Sequence, residues 1–130
     1  MLKKTVLQRS QDRVVIMDSI TKVTADDKGA IVISASHGGA SSGEFALEVP
    51  LKLVVFNDAG VGKNGAGIAA LAMLAEHGIA GATIGHDSGM IGDAQNMWDH
   101  GVISHVNPQA SALGLVVGKS VKSQVSALAK

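Results

Sequence analysis

The sequence predicts a single α/β domain spanning residues 1–130, built as a three-layer sandwich around a mostly parallel sheet with an antiparallel N-terminal hairpin strand. Strands alternate with helical segments from about residue 30 to the end of the chain, which is typical of βα units. The strands are short and apolar, as strands covered on both faces usually are. A length of 130 residues without a linker, repeat or low-complexity tract indicates one domain.

The first third of the chain contains two apolar runs. Residues 14–17 (VVIM) are typical of a buried strand, and residues 19–24 are rich in β-branched types. The turn signal DDKG at 26–29 separates them from a further apolar run at 30–35. Residues 14–35 therefore predict a bent or broken strand that is hairpinned onto the next one, and the direction of its first part remains open.

The rest of the chain alternates in a regular way. Local patterns predict strands at 51–56, 80–84 and 102–104 and helices at 65–77, 91–100, 108–113 and 120–129. The helix at 65–77 is apolar nearly all round, which predicts burial on two sides, and Gly78 is its expected end. Asn107 and Pro108 are the expected cap and first residue of the helix that follows them.

Composition excludes several classes of function. Eleven basic and eleven acidic residues give a net charge of zero, so no basic field exists to hold nucleic acid. The absence of cysteine excludes disulfides, thiolate nucleophiles and cysteine zinc sites. No apolar run approaches the roughly 20 residues of a membrane span, and the N-terminus lacks the apolar core of a signal peptide. We therefore expect a cytoplasmic protein without a membrane or nucleic-acid partner.

The surface has little charge to keep chains apart. Apolar residues make up 46% of the chain and charged residues only 17%. A chain of this kind is expected to hide part of its apolar surface against copies of itself. The sequence therefore predicts a homo-oligomer.

Polar, glycine-bearing loops follow four predicted strands, at 34–43, 57–65, 85–93 and 104–107. If the strands are parallel, these loops lie together at one edge of the sheet, where open α/β sheets bind ligands. Loops at the opposite strand ends carry few polar groups. The sequence therefore predicts a functional site at the carboxyl edge.

Histidines and aspartates in these loops supply the candidate chemistry. His37 or His105 is the expected general acid or base, oriented by Asp58 or Asp87. His86 belongs to the titratable set at this edge without an assigned role. The expected ligand-binding residues are Ser36, Gly38, Gly39, Ser41, Asn57, Gly60, Gly62, Lys63, Ser88, Asp93 and Asn107. The glycine-rich starts of helices near residues 43 and 65 are expected to bind an anionic group through backbone N–H groups.

Two short motifs favour other chemistries. Residues 39–43 match G-x-S-x-G, but a cap role for Ser41 or Ser42 is preferred, because three residues separate the strand from this motif. Residues 60–65 match G-x-G-x-x-G, with Asp87 at the end of the next strand. Nucleotide binding is therefore an alternative, although polar residues separate the preceding strand from Gly60.

The leading hypothesis is a small enzyme that applies His/Asp acid–base chemistry to a small polar, anionic metabolite. Hydrolase and lyase chemistry are favoured, and isomerisation is also open. No metal ligand is assigned, since no local histidine spacing supports one, and no cofactor is identified. The alternatives are a non-catalytic small-ligand or nucleotide-binding module, and an accessory subunit that docks another chain through the apolar 65–77 helix.

Overall fold

A six-stranded mixed sheet forms the centre of the computed structural model, which describes all residues from 1 to 130. Its strands, in chain order, are β1 (Lys3–Gln8), β2 (Arg13–Met17), β3 (Ile31–His37), β4 (Leu53–Asn57), β5 (Ala80–Ile84) and β6 (Ile103–Val106). Their order in the sheet is the same as their order in the chain. Strands β2 to β5 are parallel, whereas β1 is antiparallel to β2 and β6 is antiparallel to β5.

Helices pack on both faces of this sheet. They are α1 (Ala40–Ala46), α2 (Ala69–Glu76), α3 (Ala94–His100), α4 (Pro108–Ala112) and α5 (Val121–Leu128). This arrangement confirms a single α/β domain with a mostly parallel sheet and an antiparallel N-terminal hairpin strand. None of the helices has the length and apolar character needed to cross a bilayer.

Alternating strand residues feed two separate cores. Val14 and Ile16 of β2 belong to the core that includes α3 and α5, whereas Val15 and Met17 belong to the core that includes α1 and α2. Successive side chains of a strand point to opposite faces, so each parallel strand contributes to both layers. This two-sided burial explains why β2 to β5 lack the apolar-polar alternation of a half-exposed strand.

The N-terminal region differs from the predicted hairpin over 14–35. Strands β2 and β3 are parallel, and two short 3-10 turns at 20–22 and 25–27 carry the chain between them. The second turn holds Asp27, whose buried carboxylate accepts hydrogen bonds from Lys3 of β1 and Arg13 of β2. The antiparallel partner of β2 is β1, an edge strand of the sheet on which Lys4 is exposed to solvent.

Two helix starts also differ from the prediction. Helix α1 begins at Ala40 rather than near Gly43, and its N-cap residue is Gly39, without a side-chain cap from Ser41 or Ser42. Helix α2 begins at Ala69, because left-handed residues interrupt the irregular 3-10 segment at 63–68. The sequence predicts burial of this helix on two sides, but Ala72 and Glu76 are exposed on one side of α2 in the single chain.

Candidate functional site

The carboxyl ends of β2 to β5 meet at one edge of the sheet, as predicted for parallel strands. His37, Asp58 and His86 lie in or just after β3, β4 and β5 at this edge. The fourth loop does not share it. Because β6 is antiparallel, Asn107 lies at the opposite edge, beside Gly81 at the start of β5.

Asp58 is the centre of the site. Its residue surface is only 5% exposed. The Oδ1 atom accepts hydrogen bonds from the backbone N–H groups of Gly60, at 2.8 Å, and His86, at 3.1 Å. These bonds fold the two loops that follow β4 and β5 around one carboxylate, which gives Asp58 a fixed position.

Two imidazole rings face this carboxylate through the same ring atom. Nδ1 of His86 lies 3.4 Å from Oδ1 of Asp58, and Nδ1 of His105 lies 4.0 Å from Oδ2. The His86 side chain is 60% exposed and the His105 side chain 37%. All polar contacts of both rings involve Nδ1, so neither Nε2 atom has a hydrogen-bond partner within the protein.

A β-bulge places His105 in this cluster. The pairing of β5 with β6 shifts between Thr83 and Ile84, so that Ser104 is an extra residue opposite β5. Side chains of neighbouring strand residues normally point to opposite faces, and a bulge changes that direction. Here the Ser104 hydroxyl, at 2.8 Å, and His105 Nδ1, at 3.2 Å, both lie within reach of Thr83 Oγ1. Thr83 is fully buried, so its hydroxyl holds the side chains of Ser104 and His105 in place.

The environment of Asp58 favours its ionised form. Burial of the carboxylate acts to raise its pKa. The hydrogen bond from the Gly60 N–H, the nearby Ser104 hydroxyl and the His86 N–H and ring outweigh burial, so the pKa of Asp58 lies below its ordinary value. The site therefore holds a negative charge behind two imidazoles.

His37 lies apart from this cluster, although the sequence favours it as the acid or base. Its side chain is exposed, and Nδ1 accepts a hydrogen bond from the N–H of Gly39 at 3.1 Å. It lines a cleft of about 200 Å³ with Ala59, Val61, Gly62, Ala66 and Gly67. No polar contact joins the His37 ring to Asp58, so the structure does not support orientation of His37 by Asp58.

Asp87 does not serve as an orienting carboxylate either. It is exposed and lines a second cleft of about 230 Å³ with His86, Ser88, Gly89, Met90 and Asn96. The hydroxyl of Ser88 donates to the carbonyl of Gly85 and accepts from the N–H of Val102, so it holds the loop in place. This cleft lies beside the exposed ring of His86.

Several other residues predicted to bind ligand use their side chains on the backbone. Ser36 accepts from the N–H of Ile20, and Asp93 caps α3. Asn57 accepts from the N–H of Ala59 and donates to the carbonyl of Gly89. These side chains position the loops of the site. Ser41 and Lys63 are exposed.

Asn107 is a structural residue. Its Oδ1 atom accepts from the N–H groups of Gly81 and Ala110, and its amide donates to the carbonyls of Leu71 and Ile79. The predicted position of Asn107 at the carboxyl edge is wrong, since the residue is buried at the opposite edge. All four hydrogen-bonding positions of its side-chain amide are used within the protein.

The expected anion site at the start of the second helix is not formed. Gly60, Gly62 and Gly65 have positive φ angles, but α2 begins only at Ala69. The N–H of Gly67 bonds the carbonyl of Val61, and the N–H of Ala70 bonds that of Gly38. Backbone carbonyls therefore occupy two of the donors that a bound phosphate would need.

The sequence patterns indicate no role for three residues of the cluster, His86, Thr83 and Ser104. His86 had a usable signal, since it follows Gly85 at the end of a predicted strand. Thr83 and Ser104 had none, because their importance depends on the pairing of β5 with β6. The chain contains no group of three or more His, Asp or Glu side chains placed to hold a metal ion.

Comparison of the chain with protein-family models, with curated proteins and with solved structures finds no match. The candidate function therefore depends on the geometry of the site.

Proposed function

We propose that this protein is a small enzyme that applies His–Asp acid–base chemistry to a small polar metabolite at the carboxyl edge of the sheet. One observation carries the proposal: the buried, ionised carboxylate of Asp58 lies behind Nδ1 of both His86 and His105. A carboxylate at one ring nitrogen is the arrangement that prepares the other nitrogen for proton transfer.

The carboxylate acts by orienting the nearer ring, that of His86. With Nδ1 of His86 at 3.4 Å from Oδ1, it favours the tautomer with the proton on Nδ1, which leaves the lone pair of Nε2 directed away from Asp58 as a general base. When Nε2 accepts a proton from the substrate, the ring becomes cationic and the carboxylate stabilises that charge. With two rings on one carboxylate, one can accept a proton while the other returns one.

This chemistry suits elimination, hydration and isomerisation, and it suits hydrolysis by a water molecule that one ring activates. Ser104 is a poor candidate for a nucleophile. Its hydroxyl lies 3.2 Å from Nδ1 of His105, on the side that faces Asp58, whereas a nucleophile activated by the ring would need to face Nε2.

Solvent deuterium provides a test that needs no prior substrate. A mixture of small metabolites is incubated with the protein in D2O, and mass spectrometry follows deuterium incorporation and product formation. We expect at least one polar metabolite to exchange or convert, and we expect Asp58→Asn and His86→Gln to reduce its rate by about a hundredfold or more. Asp99→Asn and His100→Gln are matched controls on the surface of α3 and should retain the rate. No exchange or conversion by the parent protein contradicts the proposal.

A non-catalytic ligand-binding module is the second candidate. The two clefts at this edge, of about 200 and 230 Å³, are the size of small-molecule subsites. Such a module would bind a metabolite from the same mixture and release it unchanged in D2O.

We further propose that the chain acts in the cytoplasm as a homo-oligomer. The low share of charged residues supports association, as do the exposed side chains of Met90, Ile91, Val116 and Val117. An accessory-subunit role would instead place a different chain on α2, the helix within the apolar 65–77 segment.

A further inference from the structure

The cleft beside His37 has a different chemical character from the acid–base cluster. It has a volume of about 200 Å³, and His37 is its only polar side chain. The other lining residues are Ala59, Val61, Ala66 and two glycines, and the surface of the cleft is almost entirely apolar. No carboxylate or ammonium group lines this cleft, so it offers a charged ligand group no partner.

His37 contributes a hydrogen-bond donor to this wall. Its Nδ1 accepts from the N–H of Gly39, so the ring proton is on Nε2. Gly39 permits this bond, because a Cβ atom there would lie 2.6 Å from the imidazole. The Nε2–H group of His37 therefore suits a carbonyl or other acceptor.

The backbone conformation of Val61 indicates that its side chain has a function in the apolar part of the cleft. Its φ angle is +69°, in the left-handed region that β-branched residues rarely adopt. Both neighbours, Gly60 and Gly62, also have positive φ angles, and glycine would adopt this conformation at position 61 with less strain. The valine places an isopropyl group in the cleft lining that a glycine would lack.

The same loop joins this cleft to the acid–base cluster. Asp58 holds His86 on the side of β5, while Ala59, Val61 and Gly62 line the cleft on the side of His37. A molecule bound in the cleft therefore contacts the loop that begins with Asp58, whose carboxylate faces the rings that would transfer protons.

We propose that the cleft of His37 and Val61 is a subsite for the uncharged end of the substrate, a short branched aliphatic group next to a carbonyl-type acceptor. The isopropyl and methyl groups bind the aliphatic part, and Nε2–H of His37 donates to the acceptor. The assignment of this end to a substrate depends on the proposed function, whereas binding in the cleft does not.

Three small probes test the subsite by NMR titration of backbone amides. Isobutyramide has the branched group and a neutral carbonyl, isobutyrate replaces the amide with a charge, and acetamide lacks the branch. We expect isobutyramide to shift the amides of Gly39, Ala59, Gly62 and Ala66, with a dissociation constant on the order of millimolar. Isobutyrate and acetamide should bind at least about fivefold more weakly.

Variants separate the cleft from its surroundings. Val61→Gly and His37→Phe should each weaken isobutyramide binding by about fivefold or more. Asn64→Gly is the matched control, because Asn64 also has a positive φ angle but does not line the cleft. It should leave binding unchanged.

The proposal is overturned if isobutyrate binds as tightly as isobutyramide, if Val61→Gly leaves binding unchanged, or if no amide of the cleft shifts. His105→Gln distinguishes the two proposals, because it removes a ring of the acid–base cluster without altering the cleft. Binding of isobutyramide to this variant should persist. If the subsite binds as described while the parent protein shows no exchange in D2O, the cleft stands as a binding site and the acid–base function falls.

Discussion

The carbonyl oxygen of Gly67 lies 2.5 Å from the position that a Cβ atom on Gly38 would occupy, so the loops after β3 and β4 meet backbone to backbone. Gly67 is equally restricted, because its own Cβ atom would collide with the carbonyl of Asp58. These contacts bring the loop of His37 against the loop of Asp58. The two glycines therefore set the geometry of the site edge without contributing a functional group.

Replacement of either glycine should destabilise the fold. We expect Gly38→Ala and Gly67→Ala to lower the free energy of unfolding by about 1–3 kcal/mol, because backbone atoms cannot yield to a methyl group as a flexible side chain can. Urea unfolding at pH 7 measures the change. Gly43→Ala is the control: it lies in α1, and its nearest neighbour is the flexible side chain of Met73 at 3.0 Å. A loss as large for Gly43→Ala as for Gly38→Ala would contradict this account.

Relief of strain at Val61 should stabilise the chain. A residue held in an unfavourable backbone region costs about 1–3 kcal/mol, and the entropy that glycine adds to the unfolded chain offsets about 0.5–1 kcal/mol of the gain. Val61→Gly should therefore raise the free energy of unfolding by about 1 kcal/mol while it weakens isobutyramide binding. Val116→Gly, at an exposed position without positive φ, should destabilise the chain instead. Destabilisation by Val61→Gly would show that the conformation of Val61 is not strained.

Asp27 should make the fold sensitive to acid. Burial acts to raise its pKa, but hydrogen bonds from Lys3, the Thr24 N–H and Arg13, with the charge of Lys3, outweigh burial and lower it. The unfolded chain has an Asp pKa of about 3.9, so this contribution to stability is complete above that pH. It is lost as the pH falls through the lower pKa of the folded state.

Substitution of Asp27 tests this dependence. Asp27→Asn should lower the free energy of unfolding at pH 7 by about 1–3 kcal/mol, because two partly buried cations lose their partner. Its stability should then fall less between pH 5 and pH 3 than that of the parent chain, as followed by urea unfolding at each pH. Asp26→Asn, an exposed neighbour, should show the parent dependence. Equal acid sensitivity in Asp27→Asn would assign the effect to other carboxylates.

The tautomer of His86 should depend on Asp58. In the parent chain we expect the His86 proton on Nδ1, which faces Oδ1 of Asp58 at 3.4 Å. Asp58→Asn offers an amide N–H in place of one carboxylate oxygen and should move part of the population to the Nε2–H form. Long-range ¹H–¹⁵N correlation spectra report the two tautomers, and Asp87→Asn is the control, since that carboxylate is exposed. An unchanged His86 spectrum in Asp58→Asn would remove the positioning role of Asp58.

Association should be measurable in solution. Light scattering coupled to size exclusion should give a mass that is a multiple of 13.2 kDa. Val117→Lys should reduce this mass, because it places a charge on an apolar side chain that is 53% exposed in the single chain. Lys119→Gln is a nearby surface control. A parent chain of 13.2 kDa at high concentration would contradict the proposed homo-oligomer.

Local patterns predicted much of the fold. Apolar runs located β2 to β5, and Asn107 with Pro108 located the start of α4, because these features depend on neighbours in sequence. The direction of β6 could not be predicted, since an apolar run looks the same in either orientation. This one unknown placed Asn107 at the wrong edge.

Only part of the site could be predicted. The parallel strands bring Asp58 and His86 together at the carboxyl edge, although the predicted partners of Asp58 are His37 and His105. The role of His105 depends on the bulge at Ser104, and a bulge has no signature in this sequence. His37 was favoured because two glycines follow it, but those glycines serve close backbone contacts and the hydrogen bond to its Nδ1.

The sequential strand order has a consequence for how quickly and by what route the chain folds. Each strand from β2 to β6 pairs with the strand that precedes it in the chain. Each pairing therefore closes only the one segment between the two strands, which keeps the entropy cost of loop closure small. The sheet can therefore grow strand by strand as the polypeptide emerges during synthesis. Sheets that pair strands distant in sequence form more slowly than this. Hydrogen bonds that join Arg9, Ser10 and Asp12 to Ser126 and Lys130 span nearly the whole chain, and we expect them to form last.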